Sequence, residues 1–243
     1  MRKRIGERTL LFRSEPRVRS AAAVVAKNEG DGAFSERFDT VYDDDTLGED
    51  SFEKAECSMF RTAALLACQK AGLAPSDVQA MLAGDLLNQL ITANYAARDL
   101  GVPFLGLYGA CSTMAESLLL GGVLCDGGFC SPVLCCASSH FSTAERQYRY
   151  PLEMGTTAPP TSQRTVTGAG ALLLSVQDVP LPVYSHVALT AATIGRVVDL
   201  GITDMNNMGA AMAPACVILT PWMKHPKSAA IIGVFCVFNA KTV

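Results

Sequence analysis

Apolar and polar positions fall into blocks along the chain, and the blocks carry the periods of regular structure. Phe60, Ala63, Ala64, Ala67 and Cys68 recur at helical spacing. They follow Asp50-Ser51-Phe52-Glu53, which has capping-box spacing, so a helix is predicted from about residue 51 to Gly72. Ala80-Met81-Leu82-Ala83 is a short apolar run without that period and predicts a buried strand. Leu86 to Leu100 predicts a second helix, closed by Gly101 as its C-cap. Val102 to Tyr108 reads as a strand, 112–125 as a helix, and Pro132 to Ala137 as another buried strand. Val166 to Val176 and His186 to Val198 are strand-like, with Pro180-Leu181-Pro182 as a connector between them. Residues 26–50 and 139–164 read as polar loops. Strand–helix alternation of this kind predicts an α/β layer structure with helices against a mainly parallel sheet.

Composition bounds the function more than the fold. The 243 residues are 49% apolar and 18% charged, as expected of a globular chain with a substantial core. A net charge of −3 gives no basic footprint, which argues against a nucleic-acid partner. The sequence has no 18-residue apolar run to cross a membrane, and its basic start has too short an apolar stretch for a signal peptide. The nine cysteines are odd in number and lie mostly in apolar runs such as Leu134-Cys135-Cys136-Ala137, so they read as buried free thiols. Cys125, Cys130, Cys135 and Cys136 do not have the paired C-x2-C spacing of a zinc site, and no metal is assigned. There is no phosphate loop, dinucleotide fingerprint or solenoid repeat, so no cofactor is indicated; Gly168-Ala169-Gly170 marks close packing in a strand.

The candidate chemistry gathers in residues 101–127. A strand-like run ends in the small-residue elbow Gly109-Ala110, Cys111 follows, and a helix-forming segment starts at Ser112. The first turn of a helix has free N–H groups and the positive end of the macrodipole. A thiol there has its thiolate favoured, which would lower its pKa. The same N–H groups can hold a carboxylate ligand instead. Two readings stay open: Cys111 as nucleophile, or Cys111 as the floor of an anion pocket. A nucleophile needs a base, and the histidines are His140, His186 and His225. His140 follows a strand end, so in a parallel sheet it shares an edge with Cys111; otherwise it is an ordinary loop histidine. Beside it, Glu145-Arg146-Gln147-Tyr148-Arg149-Tyr150 offers two guanidiniums and two aromatic rings, suited to carboxylates and a flat ring, or to a solvated loop.

A series of motifs then makes the chain recognisable. Ala83-Gly84-Asp85-Leu86-Leu87-Asn88-Gln89, Thr92-Ala93-Asn94-Tyr95, Gly109-Ala110-Cys111-Ser112-Thr113, Asp126-Gly127-Gly128-Phe129 and Ser138-Ser139-His140 occur in order. Ala144-Glu145-Arg146-Gln147, Arg149-Tyr150-Pro151, Thr165-Val166-Thr167-Gly168, the run Gly195 to Asp204 and the run Met208 to Ala215 follow. Together they resemble the stage V sporulation protein AD family of spore-forming Firmicutes over roughly residues 36–215. That family is similar to the thiolase and ketoacyl-synthase superfamily. The resemblance implies the N-terminal half of a layered αβαβα architecture, with the C-terminal half largely missing. It divides the chain into an N-terminal extension and first strand (1–35), the thiolase-like half with the start of the second (36–215), and a divergent tail (216–243) in the manner of a frameshift or remnant.

The function implied by the resemblance is non-enzymatic. It is the binding of dipicolinic acid, pyridine-2,6-dicarboxylate, for uptake into the developing spore, with calcium as counter-ion. The implied partners are membrane-embedded products of the same operon, and the implied location is peripheral, at the inner spore membrane. Cys111 matches the superfamily's nucleophile position. A planar aromatic dianion would be held by Cys111 and Ser112 at the helix start, His140 and Arg146, with Tyr148 or Tyr150 as the flat wall. Asp85, at another strand end, orients a donor or meets a cation. The alternatives are a thiolase-like acyltransferase using Cys111, or a truncated remnant without function. An apolar face bared by the missing half predicts a homo-oligomer.

Overall fold

The computed structural model describes residues 3–87, 90–148, 165–176, 187–195, 201 and 218–222. Its ten described strands form one sheet. They are β1 (Arg4–Ile5), β2 (Thr9–Leu11), β3 (Arg17–Val25), β4 (Thr40–Val41), β5 (Ala80–Asp85), β6 (Phe104–Gly106), β7 (Val133–Ser139), β8 (Gly168–Ser175), β9 (Ala188–Thr193) and β10 (Ile218–Trp222). The helices are α1 (Lys27–Gly30), α2 (Phe52–Lys70), α3 (Ile91–Leu100), α4 (Thr113–Asp126) and α5 (Phe141–Tyr148).

The main path of the sheet runs β1-β2-β9-β3-β8-β7-β5-β6, with β10 against β9 and β4 against β3. It is mixed, which corrects the mainly parallel expectation. β5 pairs in parallel with β6 and β7, but β8 runs antiparallel to both β7 and β3, and β9 antiparallel to β2, β3 and β10.

The central strands are buried on both faces because successive side chains alternate between two cores. Met81, Ala83, Leu134, Cys136, Ala171 and Leu173 face the core shared with α2 and α3. Leu82, Val133, Cys135, Leu172 and Leu174 face the core shared with α4. Covering α4 from the N-terminal arm is Phe12, whose ring lies over Gly122. The nine buried residues of α4, of 14, reflect this enclosure.

Helix starts show where side chains override periodicity. Ser51, rather than Asp50, caps α2, its Oγ accepting from Lys54 N at 3.3 Å. Instead of running from Leu86, α3 begins at Ile91. The buried Asp85 carboxylate accepts from Leu87 N at 3.0 Å and from Ala93 N at 2.9 Å, and Leu90 turns the chain with φ of 50°. Gly101 closes α3 with φ of 66°, as a C-cap glycine does. The polar stretch after β7 forms α5, where a loop was expected; the rest of that loop, residues 149–164, lies outside the described residues.

Candidate functional site

Strands β5, β6 and β7 are parallel, so their C-terminal ends open on one edge. That edge gathers Asp85, the elbow Gly109-Ala110-Cys111, and the Ser138-Ser139-His140 corner. The segment leading to the elbow packs on Gly84 near the end of β5, and the corner follows β7, the neighbour of β5 on its other side.

Residues Ala110–Ser112 form one 3-10 turn between β6 and α4. Ala110 holds φ of 46°, a left-handed conformation that costs an alanine on the order of 1 kcal/mol. Ser112 is the N-cap residue of α4, yet its hydroxyl donates backwards to Gly109 O at 2.9 Å. No side chain therefore caps α4. The N–H groups of Ser112 and Thr113 close the 3-10 turn onto Gly109 O and Ala110 O, so an anion at this helix start would meet the N–H groups that follow them. The Thr113 hydroxyl in the same turn is buried without a hydrogen-bond partner.

Cys111 itself departs from the expectation of a lowered pKa. It is half-buried, and burial pushes its thiol up; its own backbone N–H works in the other direction but does not prevail. Loss of water around the thiolate outweighs the helix start. Iodoacetamide is therefore expected to label Cys111 more slowly than free cysteine at about pH 7.5, as read by peptide mass mapping. A faster rate than free cysteine would restore the activated thiolate.

His140 is fully buried. Its Nδ1 accepts from Ser142 N at 3.1 Å, so Nε2 carries the proton and donates to Asp45 O at 2.8 Å. Its ring packs on Phe52 with centroids 4.9 Å apart. Both nitrogens are thus spent on main-chain groups, and the ring ties the acidic loop before α2 to the end of β7. This differs from a ligand-facing imidazole. Asp85 also turns inward, at 1% exposure, onto main-chain N–H groups at the start of α3. Burial raises its pKa and those N–H groups oppose the rise. The backbone of α5 carries Arg146 and Tyr148, whose side chains lie outside the described residues, as do Tyr150, His186 and His225.

Two acids at this edge escaped the sequence reading. Glu116, in the first turn of α4, places its carboxylate over the Cα of Gly109, and burial raises its pKa. Its signal was a Glu three residues after Thr113 at a helix start. Glu56 lies fully buried on the inner face of α2, where its signal was an acid four residues before Phe60 on the apolar stripe. Among the described residues no group of three or more His, Cys, Asp or Glu could hold a metal ion.

A family model for stage V sporulation protein AD (SpoVAD) matches residues 6–225. The chain belongs to the stage V sporulation protein AD family. Stage V sporulation protein AD of Bacillus subtilis (strain 168) is 45% identical to this chain over 210 residues, covering 86% of it and 60% of the relative. The chain thus spans about 60% of that relative's length. The I375W mutant of CsyB complexed with CoA-SH shares its fold at a TM-score of 0.55, with 12% identity over 76% of this chain and 62% of its own. A 3-oxoacyl-(acyl carrier protein) synthase III from Pseudomonas aeruginosa PAO1 aligns at a TM-score of 0.47 and 18% identity, over 82% of this chain and 66% of its own. The chain has a thiolase-like α/β fold and belongs to a family of sporulation proteins. None of its described helices is long and apolar enough to cross a membrane.

Proposed function

We propose that this chain binds dipicolinate at the Cys111–Ser112 elbow, without catalysing acyl transfer, as part of dipicolinate uptake into the developing spore. The observation that carries the reading is the start of α4. It is uncapped by any side chain and follows a thiol that burial holds in its neutral form. A neutral thiol at the positive end of a helix accommodates a carboxylate and is a poor nucleophile. The histidine expected to activate it is engaged through both nitrogens elsewhere. Arg146 is proposed to pair with the second carboxylate and Tyr148 to face the pyridine ring. Asp85 and His140 act behind the site, holding α3 and the acidic loop in place. The ligand is proposed to arrive as the free acid or its calcium chelate, and the partners to be membrane-embedded products of the same operon at the inner spore membrane.

Calorimetry with dipicolinate on the wild type, Cys111→Ala and Arg146→Ala tests this. Arg146→Ala is expected to weaken binding about tenfold or more, the worth of a charge-assisted hydrogen bond. Unchanged affinity in both variants would remove the elbow from consideration. The strained Ala110 favours the alternative of an acyltransferase, since strain of this kind gathers at reactive sites. Acylation of Cys111 by an acyl-CoA, seen as an intact-mass increase, would support it.

A further inference from the structure

Glu56 is the most deeply buried acid in the described structure, at 0% exposure, and the proposed binding site does not use it. It projects from α2 into the corner where β7 turns into α5. Ser138 Oγ, on β7, donates to its Oε1 at 2.7 Å. On α5, Thr143 Oγ1 lies 3.5 Å from Oε2 and 3.0 Å from His140 O. A hydroxyl has one proton, and the closer carbonyl takes it. The contact from Thr143 Oγ1 to Oε2 is then a weak one, which leaves Ser138 as the strong donor to this buried carboxyl. Fully buried, with one strong hydroxyl donor, Glu56 suits a neutral carboxylic acid better than an ion.

The surrounding charges agree. Asp85, at the end of β5, and Glu53, one turn earlier on α2, both act on Glu56, and both are acidic. His140 is neutral by its hydrogen bonds. α5 also carries Glu145 and Arg146, whose side chains lie outside the described residues. Burial, the largest cause, with Asp85 in support, pushes the Glu56 carboxyl up to about 8, against the opposing hydrogen bonds from Ser138 and, more weakly, Thr143.

We infer that Glu56 is a proton-held strut, which as a neutral acid ties α2 to β7 and to the first turn of α5 and on losing its proton releases that turn. The sign follows from linkage. A carboxyl raised in the fold stabilises fully below its unfolded value, near 4.5, and loses that contribution as pH rises through about 8. The strut's contribution is thus full in acid, declines through neutral pH and is gone above about pH 8. Because α5 carries Arg146 and Tyr148, its release would also disturb the dipicolinate edge, a consequence that rests on the binding reading above.

Amide hydrogen exchange of the full chain tests the strut without any ligand, so its failure is separate from failure of that reading. In the wild type, protection of residues 140–148, corrected for chemical exchange and referred to α4, is expected to fall by up to about tenfold per pH unit between about pH 5 and pH 8 and to level off above it. In Glu56→Gln, which keeps the shape but cannot ionise, the corrected protection is expected to stay flat. The same pH dependence in both proteins would overturn the inference. Carbon-13 NMR of carboxyl-labelled glutamates in the wild type gives a check that needs no variant. One glutamate is expected to titrate near pH 8, and titration of every glutamate in the ordinary carboxylate range would overturn the inference.

Discussion

Gly84→Ala is expected to destabilise the chain by about 3 kcal/mol, which for a chain of this size lowers the melting temperature by roughly 10 °C. Gly84 is the penultimate residue of β5 and is buried. A Cβ there would overlap the carbonyl oxygen of Leu107 and come within 3.1 Å of Thr113 Cγ2. The obstacle is main chain, which cannot rotate aside as a side-chain tip does. Relief requires the segment leading to the elbow to lift off β5, breaking the hydrogen bond from Leu107 N to Ala83 O at 2.9 Å. The substitution therefore damages stability and the Cys111 elbow together. A melting temperature within a degree or two of the wild type would mean that this segment is not seated on β5 as described.

His140→Ala is expected to cost a similar amount, about 3 kcal/mol, measured by urea denaturation. The loss has two parts. The ring's contact with Phe52 goes, and Asp45 O and Ser142 N, on half-buried residues, lose a partner that is itself fully buried. An unpaired buried main-chain group costs about 1–3 kcal/mol, more than a hydrogen bond contributes when made. The account also fixes what the variant leaves alone. At a temperature where it remains folded, its dipicolinate affinity is expected to stay within a few-fold of wild type. Wild-type stability with lost binding would return His140 to the ligand.

Particular residues decide how far the sequence could be read. The stripe from Phe60 to Cys68 shows α2 plainly, and the apolar runs at Met81 and Leu134 show two strands buried on both faces. Strand direction was not legible, because a strand buried on both faces carries no mark of its orientation. The antiparallel insertion of β8 between β3 and β7 is set by long-range pairing. The start of α3 was misplaced because a buried carboxylate, Asp85, competes for main-chain donors, and periodicity does not report that competition. The small-residue elbow placed Cys111 between β6 and α4, as read from the sequence. The direction of its thiol shift was not legible, since burial depends on neighbours brought in by the fold. Glu56 was passed over because one acid on an apolar stripe reads as a helix-edge residue until its partners Ser138 and Thr143, more than 80 residues away, are in view.

On the proposed function, this SpoVAD-family chain is a binding protein whose elbow receives an aromatic dicarboxylate. Calorimetric titration of the wild-type chain with dipicolinate tests it most directly. The account predicts a saturable isotherm with one ligand per chain. Absence of binding heat from a chain that melts cooperatively would contradict it.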